Sequence, residues 1–215
     1  MFGGPSTVRG PAEEFRRRRP ARRAGAGFSL LELLLVAVIL VLVLTMYFAF
    51  AARQKAPSKI KNCQKNLLKI YIAMDIYATD HAGKFPDAPG ARTSGEALTA
   101  LVPRYTVDTS AFICPGSRDA ALPAGEPFAA RKISYAYYMG RAKADASAVL
   151  MSDEQVDASS KTPGQPVFST NDKPPGNNHG QAGGNFLFCD GRADNGPASA
   201  PFSLVFSQGV VLLNP

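Results

Sequence analysis

The sequence has few of the residues and motifs on which enzyme chemistry usually depends. It contains two histidines and three cysteines, and it lacks both the Gly-x-Ser-x-Gly nucleophile elbow and the phosphate-binding Gly-x-x-x-x-Gly-Lys-[Ser/Thr] loop. Two histidines leave little choice for a general base. These absences argue against an enzyme, and they place any nucleotide hydrolysis that the function requires in a separate protein.

The three cysteines, Cys63, Cys114 and Cys189, are too few for a disulfide-dense scaffold. No Cys-x-x-Cys pair is present, so the sequence gives no support for a zinc ribbon. If the C-terminal part is exported, one pair can be oxidised while one thiol remains. Cys63 and Cys114 then form either a disulfide between a long helix and the following domain or two buried thiols, and both alternatives fit the sequence. Cys189 is expected to be a small core residue.

Positive charge is concentrated at the start of the chain. The net charge is +7, and residues 1–27 carry seven arginines and two glutamates, a net +5, which leaves +2 for the rest. An arginine cluster just before an apolar segment is a signal that keeps the N-terminus cytoplasmic. We therefore expect residues 1–27 to be a cytoplasmic basic leader, and we expect no nucleic-acid partner.

A long run without charge follows the leader. Residues 33–52 contain no charged side chain, and as a helix they are long enough to cross a bilayer core of ~30 Å. The run is too long for a cleaved secretory signal, and the small-residue site after it is weak. A plain signal anchor fits the length but gives no role to Glu32, whose carboxylate is costly in a membrane unless it is near the interface or paired. We predict a transmembrane helix over 28–52.

The residues at the start of this run resemble a known processing signal. Residues 27–32, Gly-Phe-Ser-Leu-Leu-Glu, resemble the class III signal of type IV pilins and type II secretion pseudopilins. The resemblance implies that a membrane aspartyl peptidase cleaves after Gly27 and methylates the new amino group of Phe28. It also implies that Glu32 pairs with the N-terminal amine of a neighbouring subunit as helices pack into a filament core. A buried carboxylate and a buried ammonium are tolerated only as a pair, so this pair would fix the axial register between apolar helices.

The remainder of the chain resembles one branch of this superfamily, which combines the prepilin-type cleavage signal with a C-terminal signature of His, nine residues and Asp-Gly. Here ten residues separate His179 from Asp190, and we attribute the insertion to the Gly183-Gly184 pair. The other matching segments are Asn62-Cys63, Asn66-Leu67, 77–80, 84–86, 112–115, 134–137, 150–153 and Asn178-His179. The resemblance implies a pilin-like α+β fold, in which a long N-terminal helix packs on a small antiparallel sheet.

Local patterns in the rest of the chain fit that fold. Over 53–82 we predict an amphipathic continuation of the helix, ended by Gly83 and Pro86, with lysines on the solvated faces. Its buried stripe is Ile60, Cys63, Leu67, Ile70, Tyr71, Met74 and Tyr77. We predict a domain over 83–215 that begins with a helix over 94–101, with Ser94 as its N-cap. Its predicted strands are 133–139, 148–151 and 185–189. We also predict a long loop over 157–184 and a hairpin of 202–206 with 210–213.

One constellation in this domain suggests a site: His179, Asp190 and Asp153. These residues could form a hydrogen-bond or cation clamp that holds the long loop on a strand. Some pseudopilins bind calcium through C-terminal loop oxygens, and the candidate ligands here are Asp153, Glu154, Asp172 and Asp190. The Asp-x-[Asp/Asn] pattern of a dedicated calcium loop is missing, and His is a poor calcium ligand. We therefore favour no cofactor, with Asp190-Gly191 as a turn and His179 donating a hydrogen bond that pins the loop.

The sequence thus predicts a prepilin-like structural subunit of a type II secretion pseudopilus or a type IV pilus-like filament. We expect a single-pass protein of the bacterial inner membrane, with a periplasmic C-terminal domain, that later enters a periplasmic or extracellular filament. Its partners would be a prepilin peptidase, other pilin or pseudopilin subunits and assembly platform proteins. The alternative is a single-pass membrane-anchored envelope domain that binds a ligand or partner without polymerising.

Overall fold

The computed structural model describes residues 29–120, 126–168, 178–199, 204 and 206–215, except for the side chains of 51–57. The chain divides into two compact units, Met1–Met46 and Tyr47–Pro215. The predicted leader, including Gly27 and Phe28, lies outside the described residues.

A single long helix, α1, spans Leu30–Asp80. Its first turn is closed by the Ser29 carbonyl, which accepts from the Leu33 amide at 3.1 Å. It ends as the Gly83 amide donates back to the Ala78 carbonyl at 2.7 Å, with Gly83 at φ +82°, a conformation that glycine adopts without strain. The predicted stop at Gly83 is therefore confirmed.

The first part of α1 has the composition of a membrane span. Leu30–Phe50 comprises 21 residues of mean hydropathy 3.0, none of them buried within the chain. Length and composition make this segment compatible with a membrane anchor, and a signal sequence near an N-terminus has the same properties.

The second unit contains a five-stranded antiparallel sheet. Its strands are β1 (Tyr135–Met139), β2 (Val149–Asp153), β3 (Gly184–Phe188), β4 (Ala193–Gly196) and β5 (Val211–Leu213). They lie in the order β4-β3-β2-β1-β5, and every neighbouring pair is antiparallel. The chain is therefore α+β, as the sequence predicts.

Both faces of the sheet are covered. On one face, the buried stripe of α1 packs against strand residues that alternate along β1 and β3, namely Tyr135, Tyr137, Met139 and Leu187. The predicted core stripe is confirmed at Ile60, Cys63, Leu67, Ile70 and Met74, while Tyr71 and Tyr77 are half-buried. On the other face a second cluster is formed by Tyr138, Val149, Val167, Phe168, Phe186, Phe188 and Leu204. Along β1 and β3, successive apolar residues thus serve different clusters, as the period of two requires. In β2, Leu150 and Met151 both belong to the first cluster, at the point where the β2–β3 register shifts.

Short helical segments lie between α1 and β1, and one lies between β2 and β3. A second helix, α2, spans Ser94–Leu98 and continues as a 3-10 helix over Thr99–Leu101. The predicted N-cap Ser94 is wrong, because Thr93 Oγ1 accepts from the Glu96 amide at 3.1 Å and Ser94 is buried inside the first turn. Further 3-10 segments cover Thr109–Phe112, Phe128–Ala130 and Gly180–Ala182.

The predicted C-terminal hairpin is wrong in its described part. β5 pairs with β1, with Leu213 opposite Tyr137, and Leu204 forms a bridge with Lys161 instead. Residues 202, 203 and 205 lie outside the described residues. The predicted long loop contains two bridges, at Lys161 and Pro166, so its described first part is held against the C-terminal segment.

Candidate functional site

Four side chains from separate segments meet at the C-terminal end of β2. Cys63 comes from α1, Cys114 follows the 3-10 helix Thr109–Phe112, Asp153 is the last residue of β2, and His179 directly precedes Gly180–Ala182. One sulfur, oxygen or nitrogen atom of each side chain lies within 4.8 Å of those of the other three. We call these residues the four-residue cluster.

Cys63 and Cys114 form a disulfide with a Cα–Cα distance of 5.0 Å across a sequence separation of 51. Of the two alternatives that the sequence leaves open, the structure therefore has the disulfide, which joins α1 to the segment before β1. Cys189 is the remaining thiol, and it is buried. Burial raises the pKa of Cys189 to about 12, so it stays protonated and unreactive at neutral pH, as expected for a core residue.

Asp153 is completely buried and is held by two asparagines. Its Oδ1 accepts from Asn178 Nδ2 at 3.0 Å, and its Oδ2 accepts from the Asn185 amide at 2.8 Å and from Asn185 Nδ2 at 3.2 Å. Burial raises the pKa of Asp153 to about 7, against these hydrogen bonds, which lower it. The asparagines thus fix the orientation of a carboxylate that has no access to solvent.

His179 approaches the disulfide and the carboxylate through one ring nitrogen. Its Nε2 lies 3.5 Å from Cys114 Sγ and 3.4 Å from Asp153 Oδ2, with its side chain 3% exposed. Burial lowers the pKa of His179 to about 4, so the ring is neutral at pH 7 and its 3.4 Å contact with Asp153 is not an ion pair. Gly116 makes room for the ring, since a Cβ there would lie 2.5 Å from His179 Nδ1.

The geometry differs from that of a catalytic relay. In a nucleophile–His–carboxylate triad, one ring nitrogen faces the nucleophile and the other ring nitrogen faces the carboxylate. Here Nε2 faces both Cys114 and Asp153, and a single nitrogen cannot donate to one and accept from the other. The side chains converge on a common point instead of forming a chain of proton transfers.

Asp190 does not join His179 and Asp153. It follows the C-terminal end of β3, whereas Asn185 lies near the N-terminal end of the same strand. Its side chain is exposed, and its Oδ1 accepts from the Arg192 amide at 2.9 Å. The next residue, Gly191, has φ +86°, and a Cβ there would lie 2.5 Å from the Tyr71 ring. The sequence-predicted trio is therefore divided between the two ends of β3, with Asp190-Gly191 forming the β3–β4 turn.

The candidate calcium ligands that the structure describes are not brought together. Glu154 Oε1 lies 3.3 Å from Lys132 Nζ, whereas the preceding Asp153 faces His179. Lys132 also pairs with Asp119 at 3.1 Å. Asp172 lies outside the described residues, so among the described candidates no two carboxylates share a set of cation-facing oxygens.

Glu32 belongs to the first compact unit, whereas all of these residues belong to the second. It lies in the first turn of α1 and is exposed. Within the described residues no basic side chain forms an ion pair with it. The sequence-predicted partner of Glu32, the amine of Phe28, belongs to a residue that the structure does not describe.

Sequence reasoning missed the two asparagines that support the site. Asn178 Nδ2 also donates to the Ser134 carbonyl at 2.7 Å, and Asn185 Nδ2 donates to the Ile60 carbonyl at 3.2 Å. They connect the cluster to the residue just before β1 and to α1. The available signal was the polar residue Asn185 at the head of the apolar run Phe-Leu-Phe-Cys.

No family model, curated protein or solved structure matches this chain.

Proposed function

We propose that this chain is a prepilin-like structural subunit that is cleaved after Gly27, methylated at Phe28 and assembled into a type IV pilus-like filament or a type II secretion pseudopilus. One observation carries the proposal. Leu30–Phe50 of α1 is apolar and exposed, has Glu32 as its single charge, and leads into a helical segment that packs on an antiparallel sheet.

The exposed apolar segment needs cover from outside the chain. A bilayer provides it before assembly, and the same segments of neighbouring subunits provide it in a filament. The basic leader favours a cytoplasmic N-terminus and a periplasmic domain. This supports residence in a bacterial inner membrane before extraction into the filament.

The charge of Glu32, which forms an ion pair with no basic side chain among the described residues, supports a role in assembly. A carboxylate among apolar helices is stable only beside a cation or near the membrane interface. Cleavage after Gly27 would create a cationic amine four residues before Glu32. Pairing of that amine with Glu32 of a neighbouring subunit would give the filament one axial register.

A second exposed stripe supports lateral contacts between subunits. Leu68, Ile72 and Ile76 are 39%, 61% and 48% exposed, and their spacing of four places them on one helical face. This face points away from the buried stripe of the same segment. In an isolated subunit it meets solvent, so a neighbouring subunit would stabilise it.

Processing provides the first test. Co-expression of the full chain with a prepilin peptidase should remove residues 1–27 and add one methyl group, as measured by intact mass and N-terminal fragmentation. Gly27→Val should block cleavage because the signal requires a small residue at the cut site, whereas the matched variant Gly25→Val should be cut normally. An uncut wild-type chain would contradict the proposal and favour the plain membrane-anchored binding domain.

A further inference from the structure

The four-residue cluster combines the ligand types that zinc prefers. Two cysteine sulfurs, one imidazole nitrogen and one carboxylate oxygen are gathered within 4.8 Å of one another. Zinc in structural sites takes four such protein ligands in a tetrahedron and leaves no position open. The burial of Cys63, Cys114 and Asp153 matches a closed site of this kind rather than a catalytic one.

The distances around His179 already match a coordination shell. Zinc bonds of about 2.0–2.3 Å to nitrogen, oxygen and sulfur give a tetrahedron with edges of roughly 3.3–3.8 Å. His179 Nε2 lies 3.5 Å from Cys114 Sγ and 3.4 Å from Asp153 Oδ2. A single nitrogen equidistant from a sulfur and a carboxylate oxygen is what a shared metal requires.

The two sulfurs depart from this arrangement, because the disulfide joins them. Breaking the bond and separating the sulfurs from about 2 Å to roughly 3.8 Å requires each to move by about 1 Å. Rotation of the two cysteine side chains is the movement that the reduced, metal-bound state requires.

Supporting residues hold the other ligands in place. Asn178 and Asn185 donate three hydrogen bonds to Asp153, and Gly116 leaves space for the His179 ring. Hydrogen bonds of this kind orient ligands in metal sites, and their loss typically weakens metal binding by about 10–100-fold. The cluster thus has a supporting shell as well as four candidate ligands.

We infer that the chain with Cys63 and Cys114 reduced binds one Zn²⁺ through these two cysteines, Asp153 and His179, and that the metal and the disulfide are mutually exclusive. A phosphine reductant opens the site. Its phosphorus attacks one sulfur, the S–S bond breaks, and water converts the phosphonium to the phosphine oxide while both cysteines leave as thiols. Zn²⁺ then replaces the two thiol protons, which pass to the buffer.

The test uses the full chain in detergent micelles and Co²⁺ as a spectroscopic probe for zinc. After anaerobic reduction and removal of the phosphine, titration should give one Co²⁺ per chain, with the visible bands of tetrahedral cobalt and an ultraviolet sulfur-to-cobalt band. One equivalent of Zn²⁺ should abolish both signals. The oxidised chain should give neither. Absence of bound cobalt in the reduced chain, an octahedral spectrum, or equal binding by the oxidised chain would each overturn the inference.

Variants identify the ligands. Cys63→Ser, His179→Gln and Asp153→Asn should each weaken binding at least about tenfold, whereas Cys189→Ala removes the thiol outside the cluster and should bind like wild type. Thermal unfolding of each metal-free variant shows whether its fold is retained, and His179→Gln and Asp153→Asn are measured with the disulfide intact. Because these two variants each remove a different non-cysteine ligand, the test still holds if one of them fails to fold. If His179→Gln and Asp153→Asn fold and bind cobalt as tightly as wild type, the metal is held by thiolates alone and the four-ligand site is wrong.

Discussion

Two segments of α1 share a helical conformation but have opposite surroundings. Leu30–Phe50 is apolar throughout and has no buried residue within the chain, whereas residues 60–78 bury one residue in every three or four against the sheet. Leaving a leucine side chain in water instead of burying it costs about 1.5–3 kcal/mol. The first segment therefore depends on a membrane or on other chains, while the second stabilises its own domain.

The largest contrast should appear when one leucine of each segment is shortened. Leu67 is fully buried and Leu40 is exposed within the chain. Leu67→Ala should lower the free energy of unfolding of the C-terminal domain by about 3–5 kcal/mol through a cavity, and Leu40→Ala should change it by less than about 0.5 kcal/mol. Urea unfolding of both variants in detergent measures this difference. Equal effects would show that the packed segment is not part of the domain core.

Reduction of the disulfide should destabilise the packed segment, residues 60–78 of α1, without affecting Leu30–Phe50. Cys63 and Cys114 are 51 residues apart, and opening such a loop should cost about 2–4 kcal/mol of unfolding free energy. Urea unfolding with and without reductant measures this loss of unfolding free energy. A chelator is present so that the reduced chain stays metal-free. Alkylation of the unfolded chain without reductant should label Cys189 only. Labelling of all three cysteines would exclude the bridge.

The exposed stripe should matter for assembly more than for folding. Ile72→Glu and Asn62→Glu add the same charge at exposed positions of the packed segment, and each should change the unfolding free energy by less than about 0.5 kcal/mol. Only Ile72→Glu should reduce incorporation into filaments severalfold, as measured in a sheared-filament fraction relative to total protein. Equal incorporation of the two variants would remove this face from the filament contacts.

The smallest effect concerns a surface ion pair between α1 and the segment before β1. Lys69 Nζ lies 3.1 Å from Asp108 Oδ2, and both side chains are about half exposed. Hydrogen bonds from Ser110 and Lys69 lower the pKa of Asp108 below its ordinary value of 3.8. Its contribution is therefore present above pH 3.8 and lost as the pH falls through the lower, folded-state pKa.

Replacement of Lys69 should change the unfolding free energy only slightly. Lys69→Met should cost about 0.2–1 kcal/mol at pH 7, relative to the matched exposed variant Lys65→Met, and the difference should disappear in acid. Urea unfolding at several pH values checks the sign. A difference that grows as the pH falls would show that the pair is not its source.

The sequence predicted those features that depend on local pattern. The alternation of apolar and polar residues over 60–78 identified the face of α1 that packs, and the apolar runs identified β1 and β3. It failed for β4, because Ala-Asp-Asn-Gly at 193–196 has turn-forming residues and becomes a strand only by pairing with β3. It also failed for β5, whose partner is β1 rather than the adjacent segment. A local sequence pattern does not show which distant segments pair as strands.

The candidate site was predicted in part. The spacing from His179 to Asp190 suggested one site, but a five-residue strand separates the ends at which they lie. The structure instead brings His179 to Asp153 and to the disulfide. Sequence spacing alone could not reveal this, because the four residues come from four separate segments whose approach depends on the tertiary fold.

We propose that filament assembly provides the cover for the first segment of α1. The direct measurement compares wild-type and Glu32→Leu chains expressed with a prepilin peptidase and a filament-assembly machinery, using the sheared-filament fraction and the intact mass of the subunits. We expect both chains to be cut after Gly27 and methylated, and only the wild type to enter filaments in quantity. Wild-type chains that never enter filaments, or equal incorporation of both chains, would contradict the proposed role of this segment and of Glu32.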